Sequence, residues 1–200
     1  MIAIIDYQMG NLKSVQKSLE TVGYKTIVTA DPDKINNADA VIIPGVGAFS
    51  GAVENLQKVG MTAAINDFVN TGKPLLGICL GMQLLMSASE ENGLHRGLDL
   101  IPGEVLKLLS TVKIPHMGWN SVQPKNASTL TGGIEKDSYF YFVHSYYVKP
   151  DDNKHIVAVT EYGIEFCSII QKENIMGVQF HPEKSSSLGQ KILINFGRMI

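Results

Sequence analysis

Leu75-Leu-Gly-Ile-Cys-Leu-Gly-Met-Gln83 is the stretch on which the fold turns: an apolar run, residues 75–79, meets a helical run beginning at Leu80, and Gly77 and Gly81 flank Cys79 symmetrically. This is the nucleophile-elbow pattern with sulfur in place of oxygen. A sharp strand-to-helix turn holds the nucleophile in a strained backbone conformation, and the flanking glycines leave room where side chains would collide with neighbouring backbone. The helix aims its free N–H groups and the positive end of its dipole at the sulfur, a setting for a thiolate nucleophile, and the leading N–H, that of Leu80, can serve an oxyanion. An inert buried cysteine is the plainer alternative; the paired glycines at a strand-helix junction weigh against it.

Outward from the elbow, strand and helix signals alternate. Residues 2–7 read as a short strand; Leu12, Val15, Leu19 and Val22 share one helical face, and Gly23 stands where a C′ glycine ends such a helix. Residues 24–29 read as a second strand, followed by Asp31 and Pro32 as N-cap and first helical position. A third strand, residues 40–43, runs into Pro44-Gly-Val-Gly47, and Ile65, Phe68 and Val69 mark another helical face before Gly72. Beyond about residue 100 the segments 105–109, 139–148, 156–162, 167–171 and 175–180 are strand-like, 125–133 is a polar turn-rich loop, and 188–199 is helical. The rhythm predicts a three-layer α/β fold: one open, mixed, mostly parallel sheet with helices on both faces and an antiparallel portion at one side. No linker or repeat divides the chain, so residues 1–200 are expected to form a single domain.

A cysteine nucleophile needs a base. Of the five histidines, 95, 116, 144, 155 and 181, only His181 occupies a setting that explains itself. Val178-Gln-Phe-His-Pro-Glu183 ends an apolar strand in an extended run, because Pro182 fixes its own φ and keeps His181 out of helical geometry. Side chains two apart in an extended chain project to the same side, so Glu183 can orient the His181 imidazole and stabilise its protonated form. A surface turn is the alternative for His-Pro-Glu alone; the elbow and this pair support each other.

Pro44-Gly-Val-Gly47 offers unobstructed backbone N–H groups after a strand. Gly45, Gly47 and Gly51 nearly imitate a dinucleotide fingerprint, but Ser50 stands where the third glycine belongs and Asp67 falls inside a helical pattern. A second oxyanion donor is the better functional reading. Cys167, His116, Trp119 and His144 read individually as packed residues, and no spacing apart from His181 and Glu183 resembles a zinc site, so neither metal nor cofactor is expected.

Composition excludes other classes. Lys and Arg number 17 against 19 Asp and Glu, a net charge of −2 that supplies no field for nucleic acid or anionic membranes. The chain opens Met-Ile-Ala-Ile-Ile-Asp6, without the basic start of a signal peptide, and its longest apolar stretch, residues 74–86, contains Gln83 and is too short for a bilayer. A soluble, cytoplasmic protein is expected, and two cysteines make no disulfide framework.

Taken together, these residues resemble the class I (triad-type) glutamine amidotransferases, with Cys79, His181 and Glu183 matching by type, order and context. Asp6-Tyr-Gln-Met-Gly-Asn-Leu12, Pro115-His-Met-Gly-Trp-Asn120, Tyr141-Phe-Val-His-Ser-Tyr146 and the Lys184-Ser185 continuation resemble, within that class, the glutaminase subunits of imidazole glycerol phosphate synthase. Gln8 departs from the pattern, since many relatives carry glycine there. The resemblance implies attack of Cys79 on the side-chain amide carbon of glutamine, and an oxyanion held by the N–H of Leu80 and by the strand from Gly45 to Gly47, through Val46 or Gly47. His181 then protonates the departing ammonia and activates water against the thioester. It implies Gln83, Glu91, Ser145 and Tyr146 as glutamine-holding residues, and a heterodimeric partner, a (β/α)₈-barrel cyclase subunit that takes up the ammonia to form imidazole glycerol phosphate and AICAR in histidine biosynthesis. Asn11, Trp119 and Lys184 are the implied interface residues, and a peptide reorientation in Pro44 to Gly47 the implied switch.

Three other readings stay open at this level: the same chemistry serving anthranilate or guanosine monophosphate synthesis, a cysteine peptidase or esterase-like hydrolase on a related sheet, and a binding module with a relict site.

Overall fold

The computed structural model describes residues 1–200. Up to the elbow the elements alternate: β1 (Ile2–Ile5), α1 (Leu12–Thr21), β2 (Thr26–Thr29), α2 (Pro32–Asn36), β3 (Ala40–Ile43), α3 (Phe49–Lys58), α4 (Met61–Asn70), β4 (Leu75–Ile78) and α5 (Leu80–Leu84). Strands then dominate: β5 (Met86–Ser89), β6 (His95–Arg96), β7 (Ile101–Lys107), β8 (His116–Pro124), β9 (Ser138–His144), β10 (Tyr146–Pro150), β11 (Ile156–Glu161), β12 (Glu165–Lys172) and β13 (Ile175–Val178), before α6 (Ser186–Gly197) closes the chain. The Asp31 side chain accepts from the N–H of Asp33 at 3.1 Å and Pro32 opens α2, as the sequence predicts.

The main sheet runs β2-β1-β3-β4-β13-β12-β10-β7-β5-β6. β1, β3, β4 and β13 are buried at every residue, which is why they read as unbroken apolar runs. Alternate side chains feed opposite layers. Ala3, Ile5, Val41, Ile43 and Leu75 pack with Phe49, Leu56, Ile65 and Phe68 from α3 and α4. Ile2, Ile4, Ile42, Leu76 and Ile78 pack with Val15 and Leu19 of α1 and Ile192, Leu193 and Phe196 of α6. Each fully buried Phe or Ile among them is worth about 1.5–3 kcal/mol of transfer free energy. No helix is long and apolar enough to cross a membrane.

Parallel pairing holds for the half of the sheet that carries the elbow; over the whole sheet, antiparallel ladders outnumber parallel ones, seven to five. The connections between strands after residue 100 hold no crossover α-helix, and most are too short for parallel returns. Segment 139–148 is two strands, since β9 pairs with β8 whereas β10 pairs with β7 and β12, and the change of partner falls at Ser145. Helix α3 and strand β8, which the sequence reading did not assign, complete the frame. Along one edge of β12 the neighbour changes from β10, at Cys167, to β13, at Ile169. The N–H of Gln179 still bonds to Ser168 of β12, and by His181 the chain has turned to Tyr141, next to the carboxyl end of β4, where open α/β sheets place their sites.

Candidate active site

Cys79 sits at φ 54°, ψ −109°, between β4 and α5. Its N–H donates to the carbonyl of Val178 at 2.8 Å, and its own carbonyl accepts from the N–H of Gln83 at 3.2 Å, so the strained conformation is pinned from both sides. The flanking glycines are obligatory: a Cβ on Gly81 would lie 1.8 Å from the Ile43 carbonyl oxygen, and one on Gly77 would lie 2.5 Å from the oxygen of Gly81. Helix α5 has only five residues, so the dipole expected at the sulfur is that of little more than one turn. The polar groups near Sγ come instead from neighbouring segments: the Val143 carbonyl lies 3.8 Å away, and the amide Nε2 of Gln179 approaches at 3.6 Å.

His181 follows β13 in extended geometry, φ −98°, ψ 97°, and Pro182 starts a single 3₁₀ turn, Pro182–Lys184. That turn brings Glu183 round so that its Oε1 lies 2.8 Å from His181 Nδ1, with both side chains 2% exposed. The backbone is held as well: the N–H of His181 donates to the Tyr141 carbonyl at 2.9 Å, and Ser185 Oγ donates to the His181 carbonyl at 2.7 Å. Nε2 is buried without a hydrogen-bond partner and is the nitrogen left for the sulfur. Burial alone would lower the pKa of His181, but Cys79 and then Glu183 outweigh it and hold the imidazole at about 10. The ring is therefore an imidazolium at neutral pH, with a proton to give.

A cavity of about 230 Å³ opens above the sulfur. Its lining includes Cys79, Leu80, Val46 and Gly47 together with Gln83, Glu91, Ser145 and Tyr146. All four residues expected to hold glutamine thus line one cavity, although they come from three segments. Gly45 is the exception among the oxyanion candidates. It is buried outside the cavity lining, where an added Cβ would lie 2.6 Å from the Tyr7 hydroxyl and 2.8 Å from Leu80 Cβ, because the strand from Pro44 packs directly on the start of α5. Val46 and Gly47, with Gly47 at φ 110°, are the members that reach the cavity.

Three residues of the site escaped the sequence reading. The buried Tyr7 hydroxyl donates to the Pro44 carbonyl at 2.5 Å; burial, and then Cys79, push its pKa up, so it stays a donor. Gln179 is fully buried, two residues before His181 on the run leaving β13, where the period-2 rule points to it; Glu183, by contrast, is brought to His181 by the 3₁₀ turn and not by the extended run expected from the sequence. His144 lines the cavity from β9; only the β8–β9 pairing puts it there. Glu91 has a second task, since its Oε2 accepts from the Phe49 N–H at the start of α3 with a separation of 2.7 Å.

Of the expected interface residues, Trp119 and Lys184 converge on Tyr141: the indole meets its edge at 6.1 Å between centroids, and Nζ lies 5.8 Å from the ring centre. Asn11 is exposed at the start of α1, with no side-chain cap bond, and α1 packs against the Pro182–Lys184 turn. Cys167 lines a larger cavity of about 550 Å³ between β10, β11 and β12. It is buried, burial pushes its thiol pKa up, and no histidine lines that cavity, so it lacks the surroundings of a nucleophile.

Residues 3–199 match the glutamine amidotransferase class-I family. The chain is 55% identical to imidazole glycerol phosphate synthase subunit HisH of Moorella thermoacetica, covering 100% of this chain and 95% of that one. It is 52% identical to the same subunit of Caldanaerobacter subterraneus, with 100% and 98% covered. Among solved structures, a glutamine amidotransferase superposes with TM-score 0.78 at 13% identity over 100% of this chain and 98% of that one. The PurLQS structure from Thermotoga maritima superposes with TM-score 0.77 at 18% identity over 98% and 97%. An elbow cysteine, a buried His-Glu pair and a similarity that runs the length of the chain lead to one conclusion: this chain belongs to the HisH family of class-I glutamine amidotransferases.

Proposed function

We propose that the chain is the glutaminase subunit of an imidazole glycerol phosphate synthase, and that residues 1–200 act as one amidotransferase domain. The observation that carries this reading is Cys79 on the lining of a cavity of about 230 Å³, electrostatically coupled to the imidazole of the buried His181–Glu183 pair; the cavity suits one small amide substrate and not a polymer. Cys79 Sγ attacks the γ-carbon of glutamine, and the oxyanion is taken by the N–H of Leu80 and one from Val46 or Gly47. The His181 imidazolium gives its proton to the departing ammonia; the neutral ring then takes a proton from water as it opens the thioester to release glutamate. Gln83, Glu91, Ser145 and Tyr146 hold the amino-acid end.

The partner in this reading is a (β/α)₈ cyclase subunit, docked over Asn11, Trp119 and Lys184, in the cytoplasm. Exposed Met117, Trp119 and Tyr139 support a protein contact on that face, because aromatic and Met side chains are favoured in interfaces. The test is glutamine hydrolysis by the chain with and without that cyclase and its nucleotide substrate, together with covalent labelling by a glutamine-like electrophile. Loss of labelling in Cys79→Ala and retention in Cys167→Ala is expected. The reverse pattern, or full activity of the lone chain that the partner does not raise, overturns the reading.

A further inference from the structure

His116 and His144 are both buried, and the triad uses neither. They face each other in register across β8 and β9, with His116 Nδ1 2.9 Å from His144 Nε2. His144 Nδ1 lies 2.8 Å from the Tyr146 carbonyl oxygen, and His116 Nε2 lies 3.2 Å from Asn120 Nδ2. The His116 ring is clamped in its plane by stacking on Phe142 and Tyr162, with centroids 4.9 and 4.0 Å away.

Backbone groups at the two ends fix the sense of every bond. A carbonyl only accepts, so His144 carries its proton on Nδ1 and presents Nε2 as an acceptor. His116 must then donate through Nδ1 and accept at Nε2. Asn120 meets that demand in one orientation only: its Oδ1 accepts from the Ser121 N–H at 2.8 Å, which leaves Nδ2 to donate to the Glu161 carbonyl at 2.9 Å and to His116. Both rings have to be neutral for this, and burial makes them so, lowering His116 to about 4 and His144 to about 3.

The far end of the chain reaches the reacting sulfur. The Tyr146 carbonyl also accepts from Gln83 Nε2 at 2.9 Å, and Gln83 gives its other N–H to Gln179 Oε1 at 3.2 Å. Gln179 Nε2 is the group against Cys79 Sγ. The near end lies on β8, the strand that exposes Met117 and Trp119.

We propose that Asn120, His116 and His144 form a one-way hydrogen-bond chain that positions the Tyr146 carbonyl and, through it, the Gln83 wall of the cavity. His116 is then a positioning residue for glutamine binding that acts through His144, placed between the partner-facing strand and the substrate. What the cavity binds rests on the function proposed above; the direction of the chain does not.

Nitrogen-15 NMR of the full chain labelled on histidine, at pH 7, reads the tautomers directly. Protons on Nδ1 of both His116 and His144 are expected, and a proton on Nε2 of either ring overturns the proposal. Steady-state kinetics of the complex supply the second readout. His116→Phe keeps the stack and removes the donor, and it should raise KM for glutamine about tenfold, the size of one lost buried hydrogen bond, with a smaller change in kcat. His116→Asn, which keeps a donor near the Nδ1 position, should recover most of that loss. An unchanged KM in a folded His116→Phe enzyme, or a fall in kcat alone, overturns the positioning role. Because the tautomers are read without turnover, an inactive wild-type complex would count against the assigned reaction and a wrong tautomer against the chain.

Discussion

Gln179 places its amide Nε2 3.6 Å from Sγ of Cys79, a hundred residues away in sequence, and is itself fully buried. A neutral N–H aimed at sulfur favours negative charge there, as the proposed attack requires, and the same amide accepts from Gln83 and so ties Cys79 to the cavity lining. Gln179→Leu keeps the approximate volume and removes both bonds. The expected result is a fall in kcat of about tenfold and slower alkylation of Cys79 by iodoacetamide, the scale of one hydrogen bond to a charged group. Wild-type alkylation and turnover in the folded variant would show that the contact is packing alone.

The titration of the buried histidines predicts a stability maximum near neutrality. His181 is held at about 10 in the folded chain against an ordinary 6.5, so the stability it contributes is complete below pH 6.5 and is lost as pH rises towards 10. His116 and His144 lie at about 4 and about 3, so their contribution is present above pH 6.5 and is lost as pH falls through those values. Glu183→Gln removes one of the causes that raise His181, and its alkaline limb should be shallower than that of the wild type while the acid limb stays in place. Thermal unfolding from pH 4 to 10 measures both; a steeper alkaline limb in the variant would contradict the assignment.

Gly81→Ala should abolish activity and cost about 3 kcal/mol or more, since the new methyl would have to displace the end of β3 at Ile43, and with it the strand that carries Val46 and Gly47. Chemical denaturation and glutamine turnover measure the two effects. Retention of wild-type stability would mean that the elbow opens more easily than its packing indicates.

Gln8 occupies φ 66°, a left-handed conformation that glycine adopts without strain, and its N–H donates to Asp6 Oδ1 at 3.0 Å. Gln8→Gly should therefore stabilise the chain by up to about 1 kcal/mol, after allowing for the greater freedom of glycine in the unfolded state. For a chain of this length that is a rise in Tm of about 2–4 °C. A lower Tm would mean that the Gln8 side chain contributes more than its backbone costs.

Much of the site was legible because its residues lie in short segments whose local chemistry is self-contained. The elbow is defined within five residues, by glycines that leave space on both sides of Cys79. His181 and Glu183 stand two apart around a proline that restricts the backbone between them, so their meeting at 2.8 Å follows from local geometry. The four parallel strands buried on both faces announce themselves as apolar runs.

Other features were hidden for reasons of the same kind. Residues 139–148 carry strand propensity throughout, and only the competition among β8, β7 and β12 for partners breaks them at Ser145. Gly45 and Gly47 look equivalent in sequence, yet packing on Tyr7 and Leu80 buries the first and leaves the second at the cavity. Taken by itself, then, the sequence determined the elbow around Cys79, the pairing of His181 with Glu183 and the alternation that builds a covered sheet, because propensity, periodicity and glycine space act over a few residues. The tertiary structure alone decided that Gln179 faces the sulfur, that Gln83, Glu91, Ser145 and Tyr146 line one cavity, and that His116 and His144 form a directed pair. Those relations join residues dozens of positions apart, and only strand pairing and the matching of buried donors to acceptors determine them.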